Sequence, residues 1–313
     1  LPRGPGDGGR PARSDRCFKA LAEDRQSGAT GVILSGTGTD GTLGLEESKA
    51  VGGVTIAQDE ASAQYPGMPQ SAFRSGCIDL VLTPENIATE LGRIARHPYV
   101  SPTAQVGDEA IPEGDEKGVQ RVLDVLHATF GVDFGAYRET TIRRRVLRRM
   151  MLHTIANLED YADLLGRDRA ELEALYQDLL IKVTSFFRDP EVFEAIRTQV
   201  LPEIMRMKLA EAPIRVWIAG CSTGQEAYSL AMLLREFLDS VPIWPRVQIF
   251  ATDLSASLSL VKAREGLYPE GIAAEISPER LARFFRKEQG GYRIDKELRE
   301  MVVFARQNIA SDP

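Results

Sequence analysis

Ile214-Arg-Val-Trp-Ile-Ala-Gly-Cys-Ser-Thr-Gly-Gln-Glu-Ala-Tyr-Ser-Leu-Ala-Met-Leu-Leu-Arg-Glu-Phe-Leu238 reads as a strand over 214–219, a glycine turn over 220–225 and a helix over 227–238. A strand, a glycine turn and a helix in that order bring backbone N–H groups and the positive end of a helix against a ligand. The turn is not a G-x-G-x-x-G, and an acid at Glu226 repels a pyrophosphate. It suits a ligand carrying an ammonium group or free hydroxyls. The next strand, 247–252, closes on Asp253, where a carboxylate can bond both hydroxyls of a ribose. An adenosyl ligand without phosphates satisfies both acids. A plain βαβ unit, with Glu226 complementing the helix dipole, accounts for the same residues, and spacing alone does not choose between the two.

Moving outward, the C-terminal side continues with a helix around 278–285 and small strands at 292–294 and 301–305. On the N-terminal side, Asp189-Pro190 opens a helix running toward Met207. Asp168 with Glu171 forms a capping box for a helix carrying Leu172, Leu175, Tyr176 and Leu179. Val119, Val122, Leu123, Leu126 and Phe130 mark another helix at 3.6-residue spacing. The Pro-, Gly- and acid-rich stretch 97–117 has no periodicity and reads as a linker. Ahead of it the pattern returns to α/β. There is an apolar strand at 31–35, a glycine-rich turn at 36–44, a helix ended by Gly52-Gly53, and strands at 54–57 and 78–82. Thr83-Pro84 then caps a helix striped by Ile87, Leu91 and Ile94. Residues 1–15 are Gly/Pro/Arg-rich and are expected to be a disordered tail.

The chain has 313 residues, which suits two domains, and a net charge of −7, which argues against nucleic acid as the main partner. No apolar run approaches the roughly 18 residues of a membrane span, so no membrane insertion is expected. Cys17, Cys77 and Cys221, with His97, His127 and His153, are too dispersed for a disulfide framework or a metal site. A reducing, cytoplasmic setting follows, with no metal.

The average charge hides one basic block, Thr140-Thr-Ile-Arg-Arg-Arg-Val-Leu-Arg-Arg-Met150. On a helix, Ile142, Val146 and Met150 share one face, and Arg143, Arg144, Arg145, Arg148 and Arg149 spread over the others as a broad polar surface. A charge run is usually a solvated face. Five arginines without interleaved acids also favour an acidic partner.

Thr184-Ser-Phe-Phe-Arg188-Asp189, then Ala219-Gly-Cys-Ser-Thr-Gly-Gln-Glu-Ala-Tyr-Ser229, then Phe250-Ala-Thr-Asp-Leu254 resemble three successive motifs of the chemotaxis receptor methyltransferases. The likeness runs from about residue 118 to the end, with order and spacing kept. It implies S-adenosyl-L-methionine as cofactor, contacted by Thr184, Arg188, Gly220, Glu226 and Asp253. It also implies methyl transfer to glutamate side chains of receptor helices. Arg188 then orients either the nucleophilic glutamate or the cofactor carboxylate; without the resemblance, the better reading is a surface arginine pairing with Asp189. The arginine block is implied to dock on glutamate-rich receptor helices. The sequence departs from the family at Lys182, where an Asn is usual, and at Gln225, where a Glu is usual. Residues 266–306 match the small β-subdomain of these enzymes.

A second resemblance covers the N-terminal part. Arg13-Ser-Asp-Arg-Cys-Phe18, Gly31-Val-Ile-Leu-Ser-Gly-Thr-Gly-Thr-Asp-Gly41, Ala57-Gln58 and Gly67-Met-Pro69 resemble the C-terminal half of the chemotaxis methylesterase domain. An Asp in the position of Asp40 orients the histidine of a Ser-His-Asp triad in that family. Read bare, Asp40-Gly41 is a turn dipeptide. The first 39 residues hold no histidine, so Asp40 is an orphan triad acid and esterase activity is not expected.

The expected fold class is α/β with an all-helical subdomain. The segments are a tail at 1–15, a methylesterase-like segment at 16–97, a linker at 98–117, a helical domain at 118–208 and an incomplete Rossmann-like methyltransferase sheet at 209–313. Further strands of that sheet are expected past Pro313. The expected function is an S-adenosylmethionine-dependent glutamate O-methyltransferase within a methylesterase–methyltransferase fusion. A signalling scaffold recruiting an acidic partner through the basic helix is the alternative of a different class, and a small-molecule methyltransferase is another.

Overall fold

The structure, a computed structural model, describes residues 13–100, 116–135, 137–180, 184–207, 213–239, 246–254, 259–309 and 311–312. Most of the expected tail, the body of the expected linker and Lys182 lie outside these residues. The chain divides into two compact units, Leu1–Ile181 and Lys182–Pro313. No described helix is long and apolar enough to cross a membrane.

The first unit opens with helix α1 (Arg13–Arg25) and strand β1 (Thr30–Ile33). Helix α2 (Thr42–Ala50), strand β2 (Val54–Gln58), helix α3 (Gly67–Arg74), strand β3 (Leu80–Leu82) and helix α4 (Pro84–Ile94) follow. The strands form a parallel sheet in the order β1-β2-β3, with β2 buried along its whole length. That burial explains its unbroken run Val-Thr-Ile-Ala, since a central parallel strand is covered on both faces. One layer of core joins Ile33, Leu45, Ala57, Ala72 and Cys77 with Phe18 and Met68. Gly44 lets α2 approach α1 closely, for a Cβ there would stand 2.6 Å from the Asp15 carbonyl oxygen.

Among the described residues, four further α-helices follow in the unit: α5 (Glu116–Phe130), α6 (Glu139–Leu152), α7 (Leu158–Arg167) and α8 (Arg169–Leu179). As the sequence predicts, Asp168 caps α8, its side chain accepting from the amides of Ala170 and Glu171 at 2.9 and 3.1 Å. Glu171 does not return the bond as a capping box would. Its carboxylate is buried and accepts from Arg149 and from the Tyr161 hydroxyl (2.7 Å).

The helices do not stand apart from the sheet. Met151 of α6 is fully buried in one cluster with Val54, Ile56, Ile87, Ile94 and Tyr99. This overturns the expectation of a broad arginine surface on α6. Arg145, Arg148 and Arg149 are 2%, 0% and 8% exposed, and only Arg143 and Arg144 keep intermediate exposure. The physical reason is that partners wait inside the unit: carboxylates meet Arg148 and Arg149, and the carbonyls ending α2 meet Arg145, although its Nε stays without a partner.

In the second unit, helix α9 (Pro190–Ala195) passes through a π turn (Ile196–Val200) into α10 (Leu201–Met207). Strand β4 (Ile214–Ala219), helix α11 (Gln225–Leu238) and strand β5 (Val247–Asp253) follow. Next come α12 (Ser259–Glu265), β6 (Leu267–Tyr268), α13 (Pro278–Phe284), β7 (Phe285–Glu288), β8 (Gly291–Ile294), α14 (Lys296–Met301) and β9 (Val302–Arg306). Among the described residues of this unit two sheets form: a parallel one in the order β4-β5-β9, and a small antiparallel one in the order β6-β8-β7. The assignment of 302–306 to the β-subdomain is therefore corrected. Those residues pair with β5, from Ile249↔Val302 to Asp253↔Arg306, and add a third strand to the main sheet. One face of that sheet presents Ile218, Ala251 and Phe304 in register, with Tyr228 of α11 edge-on to Phe304 at 5.5 Å. The other face carries Trp217, Phe250 and Val303, also in register, at 57%, 38% and 52% exposure.

Candidate cofactor site

The carboxyl ends of β4 and β5 meet at a tight turn. The amides of Gly220 and Cys221 both donate to the Thr252 carbonyl, at 2.8 and 3.0 Å. The Ser222 amide donates to Asp253 Oδ2 at 2.7 Å, which fixes the half-buried Asp253 side chain against the turn. Gly220 has φ +76° and Gly224 has φ +91°, conformations in which glycine carries no penalty. A Cβ on Gly220 would meet nothing within 4 Å, so the backbone there faces open space. A Cβ on Gly224 would stand 2.9 Å from Ala263 Cβ, so that position is closed by packing. Tyr268 donates its hydroxyl to the Thr223 carbonyl at 2.8 Å and thereby buttresses the turn from beneath.

Helix α11 begins just past Gly224, and Glu226 in its first turn is exposed. Gln225 is buried and accepts the Thr223 hydroxyl at 2.6 Å, so the amide fills the acceptor role that a carboxylate would fill there. Cys221 is buried. Burial, followed by the nearby charge of Asp253 and Glu226, pushes its thiol up to about 12, so at neutral pH it stays protonated and is no nucleophile.

The turn bearing Thr184 and Arg188 is tied to the same helix. The Phe187 amide donates to Ser229 Oγ at 2.9 Å, and Ser229 Oγ donates to the Gln225 carbonyl at 2.7 Å. The Phe186 amide donates to Glu275 Oε2 at 3.1 Å, and the Arg280 guanidinium lies 4.0 Å over the Phe187 ring. Thr184 is half-buried and Arg188 is exposed. Arg188 stands between two left-handed residues, Phe187 (φ +50°) and Asp189 (φ +56°). Ser222 (φ +48°) is a third, so three of the five positive-φ non-glycines among the described residues fall in these two turns. Such conformations cost about 1–3 kcal/mol each and concentrate where a site has to be held in one shape.

Hydrogen bonds thus bring the three sequence motifs together: 184–189 to the α11 start through Ser229, and the 220–225 turn to Asp253 through Ser222. Sequence reading missed Ser229 and Ser222. The signal for Ser229 was a lone hydroxyl among the apolar residues of α11, on a helix whose polar face lies elsewhere. The Ser222 hydroxyl oxygen is buried without a partner. With open space at Gly220 and an exposed acid at Glu226, it fits a ligand bearing hydroxyls and an ammonium group. Asp40 belongs to the first unit, where its carboxylate accepts the Ser14 and Asp15 amides at 3.1 and 3.0 Å. The five arginines of α6 also belong to that unit.

A parallel sheet whose glycine turn opens a helix, with an acid closing the neighbouring strand, defines the nucleoside-cofactor class of α/β proteins. Residues 182–313 match the family described as CheR methyltransferase, SAM binding domain, and residues 117–180 match CheR methyltransferase, all-alpha domain. Residues 5–91 match CheB methylesterase. A putative methyltransferase, Cher3, of Pseudomonas putida is 31% identical over 202 residues, covering 62% of this chain and 71% of that protein. An uncharacterized 104.1 kDa protein of Rhodobacter capsulatus is 38% identical over 317 residues, covering 96% of this chain; this chain spans 33% of its length. A crystal structure of the Thermotoga maritima CheB methylesterase catalytic domain shares 38% identity over 25% of this chain and 41% of that one, with a TM-score of 0.24. The chain belongs to the CheR methyltransferase family, with a CheB methylesterase-type segment ahead of the methyltransferase part, and its cofactor is S-adenosylmethionine.

Proposed function

We propose that the chain methylates glutamate side-chain carboxylates of a chemotaxis-type receptor, as the methyltransferase part of a longer cytoplasmic fusion protein. The observation that supports this most is the joining of three motifs by hydrogen bonds around one glycine turn. When bound, S-adenosylmethionine supplies an electrophilic methyl group on a sulfonium. The chain's own residues then have modest chemical work, because in-line displacement by a carboxylate depends on positioning and charge rather than proton transfer. Asp253 would hold the ribose hydroxyls, Glu226 the ammonium group or a hydroxyl, and Gly220 would admit the cofactor close to the backbone. Thr184 would add a polar contact. Arg188 would hold a carboxylate, that of the cofactor or of the substrate glutamate, at the edge of the site. Relatives named chemotaxis protein methyltransferase, among them that of Escherichia coli at 29% identity, support the receptor as substrate.

Calorimetric titration of S-adenosylhomocysteine into the chain, beside Glu226→Ala and Asp253→Ala, tests the cofactor assignment. Each substitution is expected to weaken binding by about tenfold, or 1.4 kcal/mol. Wild-type affinity in both variants would remove these residues from the site. A transfer assay on receptor fragments with glutamate replaced by glutamine then tests the substrate.

A further inference from the structure

The arginines of α6 ask for negative charge, and the first unit supplies it from within. Arg148 is fully buried. Its Nε donates to the Gly53 carbonyl at 2.9 Å, its Nη1 to Asp178 Oδ2 at 2.6 Å, and its Nη2 to Asp79. Arg145 donates to the carbonyls of Lys49 (2.9 Å) and Ala50, the last two residues of α2. A helix C-terminus carries the negative end of the helix dipole, so Arg145 sits where a cation is favoured. Lys49 closes the network, its Nζ lying 3.1 Å from Asp79 and 3.7 Å from Asp178. Burial alone would raise the Asp79 carboxyl, but Arg148 and Lys49 overcome it and hold it well below the usual carboxylate range.

An apolar seam runs beside the charges. Met151 is packed among Val54, Ile56, Ile87 and Ile94, with Leu147 and Leu152 at its margin. Tyr99 donates its hydroxyl to the Gly52 carbonyl at 2.8 Å, and Arg93 donates to the Met151 carbonyl at 2.8 Å. The bonds of Arg93, Arg145 and Arg148, the Lys49–Asp178 pair and the Met151 packing join the esterase-like segment to α6 or α8, while Tyr99–Gly52 and Lys49–Asp79 brace that segment beneath them.

We propose that the esterase-like segment is the resident partner that seals the α6 arginine face, Asp79 sharing Arg148 with Asp178 of α8 while the carbonyls of Lys49, Ala50 and Gly53 take the remaining donors. Residues 13–100 and 116–180 form one cooperative body, and Arg145 and Arg148 are closed to any outside acidic partner. The segment thereby has a role that needs no esterase chemistry: it completes the core of the methyltransferase's helical part. A guanidinium stripped of its buried carboxylates is among the costliest single defects, so the contact opens only as both segments unfold.

Hydrogen-exchange mass spectrometry on the whole chain tests this, and it reads out whether or not the chain binds S-adenosylhomocysteine. Arg148→Met is expected to raise exchange by about tenfold or more in both 54–58 and 142–151. Adding Asp79→Leu is expected to restore part of that protection, because the orphaned carboxylate is removed. Arg145→Gln, a milder change for use if Arg148→Met fails to fold, is expected to loosen the same two stretches by about threefold. S-adenosylhomocysteine affinity, a property of the second unit, stays unchanged throughout. Faster exchange in 142–151 with 54–58 still protected, in either variant, overturns the proposal. So does a glutamate-rich helical peptide that binds the wild-type chain and loses that binding in folded Arg145→Gln.

Discussion

Asp15 is 4% exposed; its Oδ1 accepts from the Gly44 amide at 2.9 Å, while its Oδ2 is buried without a partner. Burial first, then the charge of Asp40, raises its carboxyl from 3.8 to about 6, against the lowering effect of Gly44. Between about pH 4 and 6 the folded protein keeps this proton while the unfolded chain has lost it. Stability therefore falls as pH rises through that window and levels off above it. Asp15→Asn keeps an acceptor for Gly44 and removes the charge. It is expected to stabilise the protein at pH 8 by up to about 3 kcal/mol and to flatten the slope between pH 4 and 6. Urea denaturation at both pH values measures this, and an unchanged slope would assign the pH dependence to another group. None of this was legible in the sequence, where Asp15 is only a letter of the methylesterase resemblance. Its charge state is set by burial, together with Asp40 and Gly44, which lie 25 and 29 residues away. Asp40 was legible as an acid in a special place, but the work the structure gives it is to receive the first amides of α1.

Elements were more legible than their partners. Strands β1, β2, β4 and β5 stand close to where apolar runs and glycine turns put them, because local sterics and burial act through adjacent residues. The strand at 302–306 was visible as a strand, yet nothing local says which sheet receives it, and the structure pairs it with β5. The arginines of α6 show the same limit: helical spacing gives their direction around the axis but not what covers them. The tether between the Arg188 turn and α11 rests on Ser229, which is fully buried. Ser229→Ala leaves the Phe187 amide without its acceptor, a loss of about 1–3 kcal/mol. We expect S-adenosylhomocysteine affinity to fall by about threefold to tenfold and Ser229→Thr to recover much of it. If exchange at the Phe187 amide rises while affinity holds, the tether is structural and does not position Arg188.

At the scale of the molecule, the order of segments could be read from motif order, since each motif is local. The shared core of the first unit could not, because its contacts bridge residues such as Gly53 and Arg148 that lie 95 positions apart. That separation sets a timetable for synthesis. A ribosome that has released residues 1–130 has delivered Asp79, Lys49 and the carbonyls ending α2, but neither Arg148 nor Asp178. The N-terminal segment then holds an acid meant for burial without its main counter-charge, and its apolar strands wait for Met151. Arrested nascent chains exposing residues 1–130 should be cut by protease within β2 and β3, and those exposing 1–180 should resist. Equal resistance at both lengths would mean that the segment folds by itself as it emerges. If the lengths differ, the first part of this chain to be made is among the later parts to become native, and its yield in the cell depends on how promptly the helices behind it arrive.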